Sequence, residues 1–453
     1  VSIAWHGTML ARVCARRHQE VVFVNPSPFR NRVITRKLRK QAQEVALSGA
    51  ALCLSLGLVE TAQAQANVAC DSLPAPIIYG RGGSAPNQLL GRLAVDIAAS
   101  PQPLTVVYKD DGACFAMASL VSGEKLATSA KYWVKQGASI VQKTCTLPAA
   151  DSTTIEASWG SMAQLATTCP GIDALPANVS DTTGPISGFS LFVPTASTQQ
   201  VISAEAVYYI YGLGVENPAY QVAPWTVPGA IASRATTSAA GLLLAKAVGI
   251  DLSHPLYGTD VKNNQGAVTH ITTVAAAVAN PEAAIGFAST ETADTNRDKV
   301  RTLAFQAVGQ DKGYWPDSTV TSFDKINIRQ GRYNLWNPHH FYAKLNGSSQ
   351  IADPNVKRWI EYLTNQTALP GNLSFLDIQI EVGNVPECAM EVTRDGEVGP
   401  LASYQPDEPC GCYFEFKATG IAPDSCQECE TEGQDPSCPT DAPVCRHGFC
   451  EVK

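Results

Sequence analysis

Three turns, each running from an apolar stretch into a helical pattern, hold the residue types best suited to chemistry in this chain. The first is Tyr79-Gly80-Arg81-Gly82-Gly83-Ser84-Ala85-Pro86, preceded by Ile77-Ile78 and followed by Leu89, Leu90, Leu93 and Ile97 on one helical face. In the second, residues 104–108 lead into Asp110-Asp111-Gly112 and a helix-like stretch over 113–120. In the third, Arg234-Ala235-Thr236-Thr237-Ser238 opens a helix over 239–248. A strand that turns into a helix leaves unpaired backbone N–H groups at the helix start, with about half a unit of positive charge. An arginine fork can take two oxygens at once, and Ser84, Thr236, Thr237 and Ser238 add hydroxyl donors. Three such turns suggest one converging anion site. The competing readings are a capping cluster for Thr236-Thr237-Ser238 and a salt bridge for Arg234. Asp110 and Asp111 read as solvated turn residues, or alternatively as an acceptor carboxylate at the site.

Catalytic signals are weak. The chain has no Gly-x-Ser-x-Gly elbow, no Gly-x-x-x-x-Gly-Lys loop and no His-Glu-x-x-His. His339-His340 would point to opposite faces of a strand, which favours a structural return strand over a metal or base site. The reading is a non-enzyme with no cofactor and no metal.

The elements that must position these turns follow an α/β pattern over residues 72–385, with short apolar runs alternating with helices. Mostly parallel sheets flanked by helices are expected. Helices are predicted after the Ser203 cap and from Asp353-Pro354, the latter burying Val356, Trp359, Ile360 and Leu363. Gly184-Pro185-Ile186-Ser187-Gly188 reads as a crossover between two lobes. The expected organisation is an upstream extension and signal peptide over 1–66, one lobe from 67–190 and 306–385, a second from 191–305, and a cysteine-rich module over 386–453.

The first 66 residues include Arg36-Lys37-Leu38-Arg39-Lys40, an apolar run over 45–59, and small-x-small sites ending at Ala64 and Ala66. They read as a secretory signal cleaved near either alanine, with Val1 or Val33 as the start and a periplasmic or secreted destination. Of 14 cysteines, twelve lie beyond this leader, and eight of those crowd the end from Cys388 to Cys450. In an oxidising compartment they are most simply disulfides, with zinc as the alternative at Cys426 and Cys429 together with Cys438 and Cys445, and Cys410 and Cys412 would bridge to different partners. Beyond residue 66 the chain carries 24 Lys and Arg against 38 Asp and Glu, a net −14. That balance argues against nucleic acid and anionic membranes as partners.

In their order along residues 76–345 these segments resemble the periplasmic phosphate-binding proteins of ABC importers, the type II solute-binding fold. The first loop, Val106-Val107-Tyr108 with Gly112, Pro224-Trp225, Arg234 with Ser238, Asn264-Gln265-Gly266-Ala267-Val268 and Ala284-Ile285-Gly286-Phe287 carry the likeness. The last two stand as strand and turn segments. The resemblance implies a two-lobed fold and a ligand site of Gly83, Ser84, Ala85, Gly112, Ala113, Ser158, Arg234, Thr237, Ser238 and Ala239. It also implies a small oxyanion, phosphate first, as ligand, the membrane components of an importer as partners, and a monomer. Departures accompany it. Ala113 stands where the family has a ligating serine, Ser158-Trp159-Gly160-Ser161 lacks the family's aspartate, and Ser238-Ala239-Ala240 loses a hydroxyl. The alternative is a secreted or surface interaction protein that keeps the fold without the ligand.

Overall fold

The computed structural model describes residues 68–148 and 155–452. The expected signal peptide and its sites at Ala64 and Ala66 lie outside the described residues. Strand β1 (Val68–Ala69) precedes β2 (Ile77–Gly82), α1 (Asn87–Ala98), β3 (Thr105–Lys109) and α2 (Phe115–Ser122). A hairpin of β4 (Ser129–Gln136) and β5 (Ser139–Thr146) leads through β6 (Trp159–Met162) to β7 (Val179–Pro194). Then come α3 (Ala239–Val248), α4 (Asn264–Ala277), β8 (Gly286–Ser289), α5 (Thr290–Asp294) and β9 (Val300–Thr302). Strand β10 (Trp336–Lys344), α6 (Pro354–Leu363), α7 (Phe375–Glu381) and α8 (Gly411–Thr419) complete the main elements.

Ten strands form one sheet in the order β1-β5-β4-β3-β2-β6-β10-β7-β8, with β9 also paired to β7. Three of its pairings are parallel and six antiparallel. The expectation of mostly parallel sheets is therefore corrected to a mixed α/β sheet. One cause is local. Gln136 pairs with Ser139 across a two-residue turn in which Gly137 takes φ +60°, a conformation that costs glycine little. The other cause is β10, which runs antiparallel to both β6 and β7.

Gly184-Pro185-Ile186-Ser187-Gly188 is not a loop but the middle of the 16-residue β7. Ile186 faces Pro338 and Thr183 faces His340, so Gly184 and Pro185 together oppose one residue of β10. This bulge accommodates a proline that has no N–H to give the ladder. Gly184 serves close packing, since a Cβ there would lie 2.5 Å from the Phe341 ring. Asn264–Val268 is likewise corrected from strand and turn to the first residues of α4, because the Asn263 side chain caps that helix by accepting from the Gly266 N–H.

Helix α1 buries Leu89, Leu90, Leu93 and Ile97 in a cluster with Trp133, Trp159, Phe341 and Trp359. α6 presents Val356, Trp359, Ile360 and Leu363 to the same cluster. The apolar α3 packs Leu243, Leu244 and Ala245 against Tyr211, Ile285 and Phe287. All twelve cysteines beyond residue 66 are paired: Cys70–Cys145, Cys114–Cys169, Cys388–Cys410, Cys412–Cys426, Cys429–Cys445 and Cys438–Cys450. Two groups that share Cys429, one with Cys438 and Cys450 and one with Asp435 and Cys445, have ligand atoms close enough to hold a metal, but each of these sulfurs is already bonded to another sulfur. Among the described residues, no helix is long and apolar enough to cross a membrane.

Beyond Pro386 the chain contributes to the main core as well as to its own cross-links. Phe414 on α8 is 1 % exposed and belongs to the cluster that contains Ile186, Trp336 and Met390. Tyr413 donates to Asp377 on α7, and Lys417 lies 3.1 Å from the same carboxylate. Glu397 accepts from the Leu165 N–H and from the Asn337 side chain. Phe414→Ala is expected to cost about 3–5 kcal/mol and to lower the melting temperature of the whole protein in one transition. A main transition that stays put while a minor one moves would show that the end of the chain melts by itself.

Candidate anion-binding site

The first turn is fixed by close backbone packing. A Cβ on Gly82 would lie 2.0 Å from the Ser161 carbonyl oxygen, so only glycine lets β2 and β6 approach this closely at the loop. Gly83 N–H donates to that carbonyl at 3.1 Å, and the buried Tyr108 hydroxyl donates to the Gly83 carbonyl at 2.8 Å. Ser84 and Ala85 then enter α1, which has no side-chain cap. The second turn follows β3, where Gly112 N–H donates to the Gly82 carbonyl at 3.2 Å. Ala113 opens the approach to α2, and the Cys114–Cys169 disulfide anchors it.

The third turn is self-capped. Ser238 Oγ accepts from the Gly241 N–H at 3.1 Å and donates to the Ala235 carbonyl at 2.7 Å. The N–H groups of Ala239 and Ala240 begin α3 and belong to the set that a helix leaves without intrahelical acceptors. A fourth helix, α4, brings Asn264 to the same place. Asn264 N–H donates to Ser84 Oγ at 3.2 Å, and its Nδ2 donates to Ser289 Oγ at 3.0 Å. Its Oδ1 accepts from Arg234 Nη1 at 2.5 Å.

Of the ten residues predicted from sequence, Gly83, Ser84, Ala85, Gly112, Ala113, Arg234, Ser238 and Ala239 line one small cavity. Two do not. Ser158 Oγ donates to the Tyr79 carbonyl at 3.3 Å, which ties it to the β2–β6 edge. Thr237 contributes its carbonyl, which accepts from the Cys114 N–H at 3.3 Å, while its side chain stays outside the lining. Asp110, Phe189, Ala240, Lys262 and Asn264 complete the wall. The space is small, leaving the centre of a water-sized sphere about 10 Å³ to move in.

Arg234 is 5 % exposed, and its one side-chain hydrogen bond goes to the neutral amide of Asn264. It makes no ion pair among the described residues. Burial pushes its guanidinium down to about 10, against the pull of Asp260 and Asp110. Neither aspartate of the second turn is simply solvated. Asp110 Oδ2 accepts from Asn87 Nδ2 at 2.7 Å and from Lys131 Nζ at 2.5 Å. Asp111 is gripped by both Nε and Nη2 of Arg81, at 3.0 and 2.9 Å. The wall thus offers one buried guanidinium, helix N–H groups, two serine hydroxyls, an amide and one carboxylate already held by a lysine. Such a set has the chemistry to hold an anion, and nothing in it resembles an activated nucleophile beside a base. Asn264 escaped the sequence reading, although Asn263 immediately before it is a helix-cap signal.

The wall is braced from behind by Glu291 on α5. Its Oε1 accepts from Ser187 Oγ at 2.9 Å and from Asn384 Nδ2 at 2.5 Å, while Oε2 is buried without a partner. Its backbone carbonyl accepts from Gln88 Nε2 on α1 at 2.9 Å. Burial raises its carboxyl to about 8. His339 and His340 lie on β10, as the strand reading expected. His340 Nδ1 pairs with Asp181 Oδ1 at 2.8 Å, and burial drives His339 down to about 3.

No family model matches the chain, and no curated protein matches it either. Among solved structures it is similar to an ABC-type phosphate transport receptor from Vibrio cholerae, at 16% identity over 68% of this chain and 99% of that one, with a TM-score of 0.43. It is also similar to a phosphate binding protein from Stenotrophomonas maltophilia, at 12% identity over 69% and 91% of the two chains, TM-score 0.38. A third is the CcmR regulatory domain of Synechocystis PCC6803 in complex with 2-PG, at 10% identity over 64% and 97%, TM-score 0.36.

The Glu291 carboxyl titrates higher in the folded chain than its ordinary 4.5. Its contribution to stability is therefore full below about pH 4.5 and lost as pH rises to about 8, by on the order of a few kcal/mol. Glu291→Gln is expected to flatten that decline, read as denaturant midpoints at pH 5 and pH 8. An unchanged slope in the variant would place the titration elsewhere.

Proposed function

We propose that this chain is an exported solute-binding protein that closes on a small oxyanion, phosphate first, and delivers it to an ABC-type importer. The observation that carries this reading is Arg234, a guanidinium buried in the wall of a small cavity, hydrogen-bonded to a neutral amide and in no ion pair among the described residues. A buried charge is costly until it is paired. An incoming oxyanion would pair it and would also satisfy the first N–H groups of α3.

In this reading residues 67–190 and 306–385 form one lobe, residues 191–305 the other, and residues 386–453 a cysteine-rich module. The first lobe supplies Ser84 and Ala113 and the second supplies Arg234, Ser238 and Asn264. Direct bonds already join the two sides, from Asn264 N–H to Ser84 Oγ and from Cys114 N–H to the Thr237 carbonyl. Capture would proceed by hinge closure, with no bond made or broken. Asp110 gives the site a basis for choosing among oxyanions. Its Oδ2 is held by Asn87 and Lys131, which leaves Oδ1 to accept a proton from an anion that still carries one. Hydrogen phosphate has such a proton at neutral pH, and sulfate does not.

Calorimetric titration of anion-stripped protein tests this. Orthophosphate should bind saturably and sulfate should not. Arg234→Ala should weaken phosphate on the order of 100-fold, since hydrogen bonds to charged groups contribute about 1.5–3 kcal/mol each. Asp110→Asn should narrow the preference for phosphate over sulfate. Silence with both anions from folded protein would overturn the reading and favour an interaction protein that has kept the fold.

A further inference from the structure

The cavity at Arg234 is not isolated. Ser84, Lys262 and Asn264 line it and also line a second, much larger space of about 930 Å³. That groove runs along α4 and is walled by Gln142, Thr269, His270 and Thr273, with Asn87 and Lys131 on the α1 side. Its size lies in the range of sites that hold small organic ligands, whereas a free inorganic anion needs no such space. We propose that the ligand is a phosphate monoester with a hydroxylated body, its phosphoryl group at Arg234 and its body in this groove. The proposal rests on the anion reading above and names the class of molecule that carries the anion.

The chemistry of the wall supports a polar body. Gln142, Thr269 and Thr273 spend their side chains on no protein partner among the described residues, so their amide and hydroxyl groups are free for hydroxyls of a ligand. Asn87 Oδ1 is buried with no donor, although its own Nδ2 is fixed on Asp110. It is an acceptor at the sill between cavity and groove, where the first carbon-bound hydroxyl of an ester would arrive. Lys131 and Lys262 stand beside the entrance, the first paired with Asp110 and the second 3.8 Å from Asp260, so the approach is lined by balanced charge. His270 is the single ring in the lining and its Nε2 is already engaged by the Gly229 carbonyl at 2.9 Å. The groove therefore suits a sugar or polyol phosphate better than a nucleotide, whose base would want an aromatic face to stack on.

The Ser84–Asn264 hydrogen bond crosses this sill. A monoester in its singly protonated form keeps two terminal oxygens for the guanidinium and the helix N–H groups and one P–OH for Asp110, and its bridging oxygen can meet the Ser84 hydroxyl. The body then leaves over the sill, which inorganic phosphate never has to cross.

The test compares inorganic phosphate, sn-glycerol 3-phosphate and D-glucose 6-phosphate by calorimetry on the full chain, with glycerol and glucose as controls. The expected result is that at least one ester binds roughly tenfold or more tighter than inorganic phosphate. Thr269→Trp, on an exposed position of α4 facing the groove, should erase that advantage and leave inorganic phosphate unchanged. Arg234→Ala should weaken both kinds of ligand. Inorganic phosphate binding as tightly as both esters, or a Thr269→Trp variant with an unaltered preference, would overturn this inference while leaving the anion reading intact. Failure of every phosphate compound would overturn both.

Discussion

Arg234 is held almost wholly out of water, and its one side-chain hydrogen bond among the described residues goes to the carboxamide oxygen of Asn264. Holding a charge in that state costs free energy, and the rest of the site is built around keeping it there. Asn264 can hold the guanidinium only because Ser289 fixes its other end and Ser84 accepts its backbone N–H. Ser84 can be there only because the Gly82 backbone packs against Ser161 more closely than any side chain would permit. One buried cation thus ties together four chain segments that are far apart in sequence.

The mixed sheet explains how those segments meet. β2 and β3 run parallel, so the turns that follow them open at the same sheet end and aim α1 and α2 at one point. The long β7 pairs first with β10 and then with β8 and β9, which carries the sheet across to the side that bears α3 and α4. Behind that junction, Glu291 joins Ser187 of β7 to Asn384, and Glu397 reaches back from the disulfide-rich end to Leu165 and Asn337. The cysteine-rich end therefore braces the same crossing strands that position the site.

Periodicity made much of this legible in the sequence. The apolar faces of α1, α3 and α6 stood out, and the Ser238 cap predicted the start of α3. Eight of ten expected site residues share one wall because helix starts are local features, set by residues next to one another. What was lost depended on long-range contacts. Asp110 looks like a solvated turn residue until Lys131, from the next hairpin, is beside it. Asn264 gains its role from Arg234 and Ser84, 30 and 180 residues away. The hairpin of β4 and β5 was missed because its outer face is polar and its turn is a single Gly137-Ala138 pair.

A net charge of −14 beyond the first 66 residues opposes any anion at long range. At physiological salt, however, exposed charges are largely screened beyond about 8 Å. Inside the cavity that screening is absent. There Arg234 and Lys262 stand on the wall, the α3 N-terminus adds to them, and the negative charge of Asp110 is offset by Lys131. Local sign, not net charge, then decides what is held, while the acidic surface slows encounter. In the solute-binding reading proposed above, a site arranged this way trades association rate for retention.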